Sequence, residues 1–436
     1  MKNIVKLGVK CICVMFPLLA IYAYMWLNPL GYMDEESPHY LWNREKVNSE
    51  ETCYYDTIIL GDSMANAAYM PEVLSDTTIN LSLGGMTPVE NYYVLQDWLT
   101  THTAPKVCYI SFQDAHMIME DCFWTRTMYA HRFTRAQNLE ILRTAEIFRE
   151  PTILTDHYKI DFISYELFLP NKYIASFMNS GFNQRYDRNV ETQRMDELHR
   201  GRYVARGADE FEGGKKAALE EFYVNPLFED YYRRLIAMCV ENGIKVRIVK
   251  LPHPENVSFT EEYTAQFNEF YENIRKDYPE ITVDWIASYD RKCFVDANHL
   301  NSYGSLRLSS EIRELYPEDF GSAPLSRGQA EAISDSIAGV KRGEQLADWI
   351  YGRDYTLFIN DGSKIYSVSG LNNRRGEQEV FELENGLKVW QEPSAAWKWE
   401  EHVLGDFSVV VIDNYNQKEV CQKSFWQEKE TCRLAE

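Results

Sequence analysis

"TIILGDSMANAAYMPEVL" (residues 57–74) sets a Gly-Asp-Ser tripeptide between a short apolar run and the start of a helical pattern. The run TIILG has the length and β-branched content of a buried strand, and a glycine closes it. Ser63 therefore stands where a strand hands over to a helix. Its hydroxyl has two readings. Either it caps the helix, a role worth about 1 kcal/mol, or it is a nucleophile at a helix N-terminus, where backbone N–H groups face a developing oxyanion.

The segments on either side continue the alternation. "TTINLSLGG" (77–85) and "KVCYISF" (106–112) read as further strands. Between them "PVENYYVLQDWLTTH" is helical, with Pro88 suited to a first turn. The rhythm returns at "PLFEDYYRRLIAMCVENG" (226–243), an amphipathic helix ending at Gly243, followed by the strand "IKVRIVKLP". A helix over 259–277, the short strand "ITVDWI" (281–286) and a helix from "SYGSLRLSSEIRELY" complete the pattern. Strands alternating with helices predict an α/β domain with a parallel sheet covered by helices on both faces.

Residues 115–225 interrupt that pattern with a Tyr-, Phe-, Met-, Arg- and His-rich stretch of helical periodicity, either a cap over the site or extra helices extending the core. From 321 a helical link (326–351) leads to short β-like runs, including "YTLFINDGSKIYSVSG" with its Asp-Gly hairpin signal. The expected organisation is an N-terminal anchor (1–33), a polar linker (34–52), the α/β domain (53–320) and a small β-rich module (321–436). Trp390, Trp397, Trp399 and Trp426 fall in that module, as core or as faces that stack on sugar rings.

The anchor follows from charge. Residues 11–33 contain no charged side chain and meet the roughly 20 residues needed to span a bilayer. Lys2, Lys6 and Lys10 precede them and Asp34, Glu35 and Glu36 follow, which places the N-terminus in the cytoplasm and the rest outside. A cleaved signal peptide is the rival reading, but no small-x-small cleavage site follows the run. The net charge of −21 argues against nucleic acid and against general adsorption to anionic lipid. Seven of the nine cysteines lie beyond the anchor, an odd number. Cys421 and Cys432 are close enough in sequence to pair in an oxidising compartment. No CxxC or HExxH spacing supports a metal, and no cofactor is expected.

A serine nucleophile needs a base and a group to orient that base. "FVDANHLNSYG", after the last strand, supplies Asp296 and His299 three residues apart. In a doubly wound sheet the loops after the first and last strands can open on the same edge.

With these blocks in place the chain resembles the SGNH/GDSL hydrolase superfamily, which implies a flavodoxin-like three-layer α/β/α fold over about residues 54–317. "ILGDS" matches its first block, so Ser63 is the implied nucleophile. "INLSLGGMTP" matches the second, carrying an oxyanion-hole glycine onto Gly85, with Gly84 adjacent. "DANH" matches the last, making His299 the implied general base and Asp296 its orienting partner. The third block departs from the superfamily's Gly-x-Asn-Asp. It reads "ISFQDAH", with Gln113 and Asp114 near the expected position of the Asn donor. A Gln amide can donate to an oxyanion and an ionised Asp cannot. Either Gln113 substitutes, the insertion supplies another donor, or activity is reduced, by about 3–4 kcal/mol for one lost donor.

The anchor and the first two blocks are also similar to membrane-anchored SGNH proteins of bacterial envelopes, relatives of the alginate-acetylation and lipoteichoic-acid D-alanylation proteins. That resemblance implies a serine esterase or O-acyltransferase on acyl, notably acetyl, esters of a cell-surface glycan, beside a membrane-bound O-acyltransferase partner. A non-catalytic scaffold that binds the glycan or the acyltransferase is the alternative. His253, after the 245–251 strand, is either a substrate contact or a solvated loop histidine. Trp124, Arg126, His131 and Arg132 in the insertion are candidate glycan contacts.

Overall fold

Five strands form one parallel sheet: β1 (Thr57–Gly61), β2 (Thr78–Asn80), β3 (Val107–Ser111), β4 (Lys245–Lys250) and β5 (Thr282–Trp285). Every residue of β1, β2 and β3 is buried, as expected of strands covered on both faces. The spatial order is 2-1-3-4-5. The chain leaves β1 toward one side of the sheet for β2 and returns on the other side as β3. The switch point, where open α/β sheets hold their ligands, thus lies at the carboxyl ends of β1 and β3. The protein is an α/β protein, and this sheet is compatible with a three-layer arrangement. The computed structural model describes residues 2–50, 54–75, 77–119, 122–180, 185–203, 205 and 217–320, together with the backbone of strands within 355–435.

The connecting helices start where side chains satisfy their free N–H groups. Thr87 and Glu90 form a reciprocal capping box at Pro88–Thr101, with Pro88 in the first turn. Asn225 caps Pro226–Glu241, Thr260 caps Glu261–Asp277 and Asn301 caps Ser302–Leu315. Gly243, just past its helix, has φ of +70°, the left-handed conformation expected of a C-terminal glycine. The strand expected over 77–85 is only three residues long. Beyond Asn80 the backbone turns away under side-chain control, with the Ser82 N–H on Asn80 Oδ1 at 3.0 Å.

At the amino end of the sheet, Asp319 is fully buried. Its carboxylate accepts from Arg247 Nε at 2.7 Å, Lys245 Nζ at 2.9 Å and the Tyr109 hydroxyl at 3.0 Å. Its carbonyl accepts from Thr57 Oγ1 at 3.0 Å, fastening the end of the domain beneath β1, β3 and β4.

The chain divides into two compact units, Glu50–Ile118 with Met195–Glu436, and Met1–Ser49 with Met119–Arg194. The second corrects two expectations. Residues 34–52 are not a bare linker, since the helix Ser37–Asn48 buries Tyr40, Leu41, Trp42 and Asn43. Most of the stretch expected as an insertion of the α/β domain groups with that helix and with the N-terminal helix Lys2–Leu27. Among the described residues no helix is long and apolar enough to cross a membrane.

In the C-terminal region, strands Tyr355–Asn360, Ile365–Gly370, Phe407–Asp413, Lys418–Glu428 and Thr431–Ala435 pair into one antiparallel sheet, and three shorter strands into another. The expected link at 326–351, the Asp-Gly turn and the tryptophan side chains lie outside the described residues. The register corrects the Cys421–Cys432 pairing. Cys432 stands opposite Gln427, six positions along the strand from Cys421. At about 3.4 Å per residue that is roughly 20 Å, against the roughly 4–7 Å between Cα atoms of a disulfide.

Candidate active site

Asp62 answers the opening ambiguity of the Gly-Asp-Ser block. It is Asp62, not Ser63, that caps the helix Ser63–Ala68, accepting the Met64 N–H at 2.8 Å and the Ala65 N–H at 3.4 Å on Oδ1. Ser63 occupies the first helical position. Its hydroxyl lies 2.8 Å from His299 Nε2, and among the described residues nothing accepts from its backbone N–H. The helix begins so abruptly because Gly61 permits it. A Cβ there would lie 2.0 Å from the Ser111 carbonyl oxygen and 2.6 Å from the Ala65 Cβ, so the first turn can sit against the end of β3 only with glycine.

The base is held in a short closed loop. Phe294 and Leu300 form an antiparallel bridge, and the Val295 N–H donates to the His299 carbonyl at 3.0 Å. Inside the loop, Asp296 Oδ1 accepts the Asn298 and His299 N–H groups, each at 2.8 Å. Its Oδ2 lies 2.8 Å from His299 Nδ1. The carboxylate is acceptor-only when ionised, so it fixes the proton on Nδ1 and leaves the Nε2 lone pair facing the serine. Burial by itself would raise the Asp296 carboxyl. The hydrogen bonds from the His299 ring and the two backbone N–H groups outweigh it and hold the group below its ordinary value. With the Asp296 side chain half exposed, water screens its charge, and orientation is its main contribution.

Two further hydrogen bonds clamp the halves of the site together. Ser305 Oγ donates to the Ala67 carbonyl at 2.7 Å, and the Met70 N–H donates to Ser309 Oγ at 2.8 Å. They join the helix following His299 to the helix beginning at Ser63. Gly304 lets the first turn of the helix after His299 sit against the Cys293 backbone, since a Cβ there would lie 2.3 Å from the Cys293 carbonyl oxygen.

The second block is shaped by buried amides. Asn66 Nδ2 donates to the Ser82 carbonyl at 2.6 Å and to the Gly201 carbonyl at 2.7 Å. Asn80 Nδ2 reaches the Ala65 carbonyl at 3.1 Å. Asn91 accepts the Gly61 N–H at 2.8 Å and donates to the Thr87 carbonyl at 2.9 Å. These bonds place the loop holding Gly84 and Gly85 beside the first turn of the serine helix. Gly85 has φ of +79°, and among the described residues its N–H has no acceptor.

In the third block, the Gln113 N–H donates to Asp62 Oδ2 at 2.7 Å, and the same oxygen lies 2.8 Å from His116 Nδ1. Gln113 Nε2 is 2.9 and 3.1 Å from the two His116 ring nitrogens. The amide is therefore supported by a histidine that is itself anchored on the Gly-Asp-Ser carboxylate. Asp114 is drawn elsewhere, pairing with Lys250 and accepting from the Tyr263 hydroxyl at 2.7 Å. Beside them lies a cavity of about 10 Å³, the size of one water, lined also by Tyr232 and Tyr271. Burial lowers the Lys250 ammonium and the charge of Asp114 opposes that shift.

The remaining candidates sit differently from the sequence-based expectation. His253 is not a solvated loop residue. It is buried, with its ring 5.2 Å from that of Phe259, and burial, reinforced by the nearby Lys250 charge, lowers it to about 4. Trp124 and Arg126 belong to the compact unit that does not contain Ser63. Trp124 Nε1 donates to the Ile153 carbonyl at 3.0 Å and its ring stacks on Tyr165, while Arg126 lies 3.8 Å from Glu36. His131 stacks on Phe168 at 3.8 Å, and the buried Arg132 donates to Asn43 Oδ1 at 2.7 Å. These contacts tie side chains into their own unit.

Sequence reasoning missed Asp62 as the cap, His116, Asn66, Asn91, Ser305 and Ser309. The usable signal was small: a carboxylate just before a helix is a standard cap, whereas buried Asn and Ser partners are set by tertiary contacts. No known protein family profile matches the chain, and no curated protein matches it either.

Proposed function

We propose that the protein is a membrane-tethered, extracytoplasmic serine esterase or O-acyltransferase of the SGNH type, acting on acyl esters, most simply acetyl esters, of a cell-envelope glycan. The observation that carries this reading is the unbroken run of contacts from Ser63 Oγ through the His299 ring to Asp296, 2.8 Å at each step. It stands at the switch point of a parallel sheet, and the backbone N–H groups of Ser63 and Gly85 have no acceptor among the described residues.

The chemistry follows from those positions. His299 Nε2 takes the Ser63 proton as Oγ attacks the acyl carbonyl, and Asp296 stabilises the resulting imidazolium. The Ser63 and Gly85 N–H groups and the Gln113 amide receive the oxyanion. His299 then returns the proton to the leaving alcohol, giving an acyl-serine. Water or a sugar hydroxyl, deprotonated by the same imidazole, releases the acyl group. The resemblance to envelope SGNH proteins supports the glycan substrate and a membrane-bound acyltransferase partner. The uncharged run 11–33 with its flanking charges supports the tether and its orientation.

The alternative, a non-catalytic glycan or acyltransferase scaffold, draws on the missing third-block Asn. The two separate on labelling of the full chain in detergent with a fluorophosphonate. Wild-type labelling that is lost in both Ser63→Ala and His299→Ala is expected. A folded wild type that does not label puts the scaffold reading first.

A further inference from the structure

We infer that the helices Tyr158–Glu166 and Pro170–Ser180 form a second membrane contact, a shallow apolar foot that rests in the phospholipid interface beside the N-terminal helix. The inference rests on the proposed tether, takes the exposed helical part of the uncharged run, which ends at Leu27, as the part that meets lipid, and extends the contact to the folded part of the same compact unit.

Ile160, Ile163 and Leu167 follow one another at helical spacing, as do Ile174 and Met178, and these five side chains are 51–70% exposed. The opposite faces of the same helices are the buried ones, carrying Phe162, Tyr165 and Tyr173. Each helix is thus apolar both toward its core and toward the outside. Isolated exposed apolar residues are ordinary, whereas a group on adjoining helices marks an interaction surface.

The occupant is indicated by what the foot touches. The Tyr22 hydroxyl donates to the Leu167 carbonyl at 2.8 Å, the Trp26 ring lies 5.1 Å from Phe168, and the Tyr24 ring 6.0 Å from Phe177. Tyr22, Tyr24 and Trp26 occupy the last turns of the N-terminal helix, where tyrosine and tryptophan form the aromatic belt at headgroup depth. The foot therefore meets the helix at the level of the interface. Its charge fits as well. The stretch from Tyr158 to Ser180 carries two lysines, Lys159 and Lys172, against Asp161 and Glu166, a net of zero in a chain of net −21. Lys172 is spent on Asp161. This surface escapes the repulsion from anionic lipid that the rest of the chain would feel.

The test is photocrosslinking in proteoliposomes of phosphatidylcholine with a minor fraction of phosphatidylglycerol. The full chain carries p-benzoylphenylalanine singly at Leu18, Ile163, Met178 or, as a control on the other unit, the exposed Tyr223. Lipid adducts at Ile163 and Met178 comparable with those at Leu18, and none at Tyr223, are the expected result. Adducts at Leu18 alone overturn the foot and leave the span standing. Absence at Leu18 as well overturns both. Protein–protein adducts at Ile163 and Met178 overturn it in favour of a second copy of the chain.

Discussion

His116 Nδ1 and Asp62 Oδ2 lie 2.8 Å apart in a buried carboxylate–imidazole pair, one residue behind the serine that His299 contacts. The pair links the first and third sequence blocks, because the same carboxylate oxygen holds the Gln113 N–H and the same imidazole supports the Gln113 amide. Under the proposed chemistry the amide replaces the missing Asn donor. Gln113→Ala should then slow fluorophosphonate labelling about 100- to 1,000-fold, the loss typical of one oxyanion donor. His116→Ala should slow it in the same direction, and the double variant should be little slower than Gln113→Ala, since both remove one unit. Independent, additive losses would separate His116 from the amide.

The contact between the serine helix and the end of β3 depends on Gly61. A methyl group there would meet a backbone carbonyl at 2.0 Å, and backbone cannot rotate away as a side chain can. Gly61→Ala should cost more than the roughly 1–3 kcal/mol usual for overpacking, because the first turn of the helix must shift. Chemical denaturation measures the cost, and labelling of the folded fraction reports whether Ser63 has moved. A variant as stable and as reactive as wild type would show that the turn relaxes without loss.

At the other end of the sheet Asp319 holds Arg247, Lys245 and Tyr109 together in a buried cluster. Burial would raise its carboxyl, but the hydrogen bonds from Arg247 and Lys245 and the guanidinium charge more than reverse that and hold it below the ordinary value. Asp319→Ala should destabilise the α/β unit by about 3 kcal/mol, by removing the buried acceptor of Lys245 and Tyr109 and leaving Arg247 with the more exposed Glu318 carboxylate at 2.8 Å. The midpoint and slope of a urea transition provide the measurement. Labelling at low urea should persist, since the cluster stands at the opposite end of the sheet from Ser63.

Much of this architecture was legible in the chain. TIILG and KVCYISF are largely apolar runs of strand length, whereas IKVRIVKLP sets Lys245, Arg247 and Lys250 among β-branched residues. All three lie in the sheet, the first two legible by hydrophobicity and the third by its β-branched content and its place between a helix and a proline. Ser63, Asp296 and His299 were legible as residue types in the right order, and the structure brings all three together. What the sequence hid is what tertiary contact decides. The 34–52 stretch reads as a spacer because it is rich in charge, yet Tyr40, Leu41 and Trp42 fold it onto its own unit. Trp124 and Arg132 read as ligand contacts because exposed aromatics and arginines often are, but burial and internal hydrogen bonds use them structurally. Polar partners such as Asn91 and Ser305 carry no periodic signature, so only the folded chain reveals them.

His253 gives the pH dependence a defined window. Its folded value of about 4 lies below the 6.5 of the free side chain, with burial the main cause. As pH falls the unfolded chain takes up this proton first. Its contribution to stability is therefore complete above about 6.5, is lost between 6.5 and about 4, and changes no further below that. Integrated over the window, a shift of this size corresponds to about 3 kcal/mol. His131, lowered to about 4 by burial and by Arg44, adds a second contribution in the other unit. The depressed carboxylates Asp296 and Asp319 act in the opposite structural sense but with the same sign, and at lower pH, below the ordinary carboxylate range. Urea midpoints measured from pH 7.5 to 4.5 should thus fall steadily in wild type. They should fall less in His253→Gln, whose neutral side chain gains no proton. Equal slopes in the two proteins would show that the ring is protonated in place, with Asp114 compensating its charge.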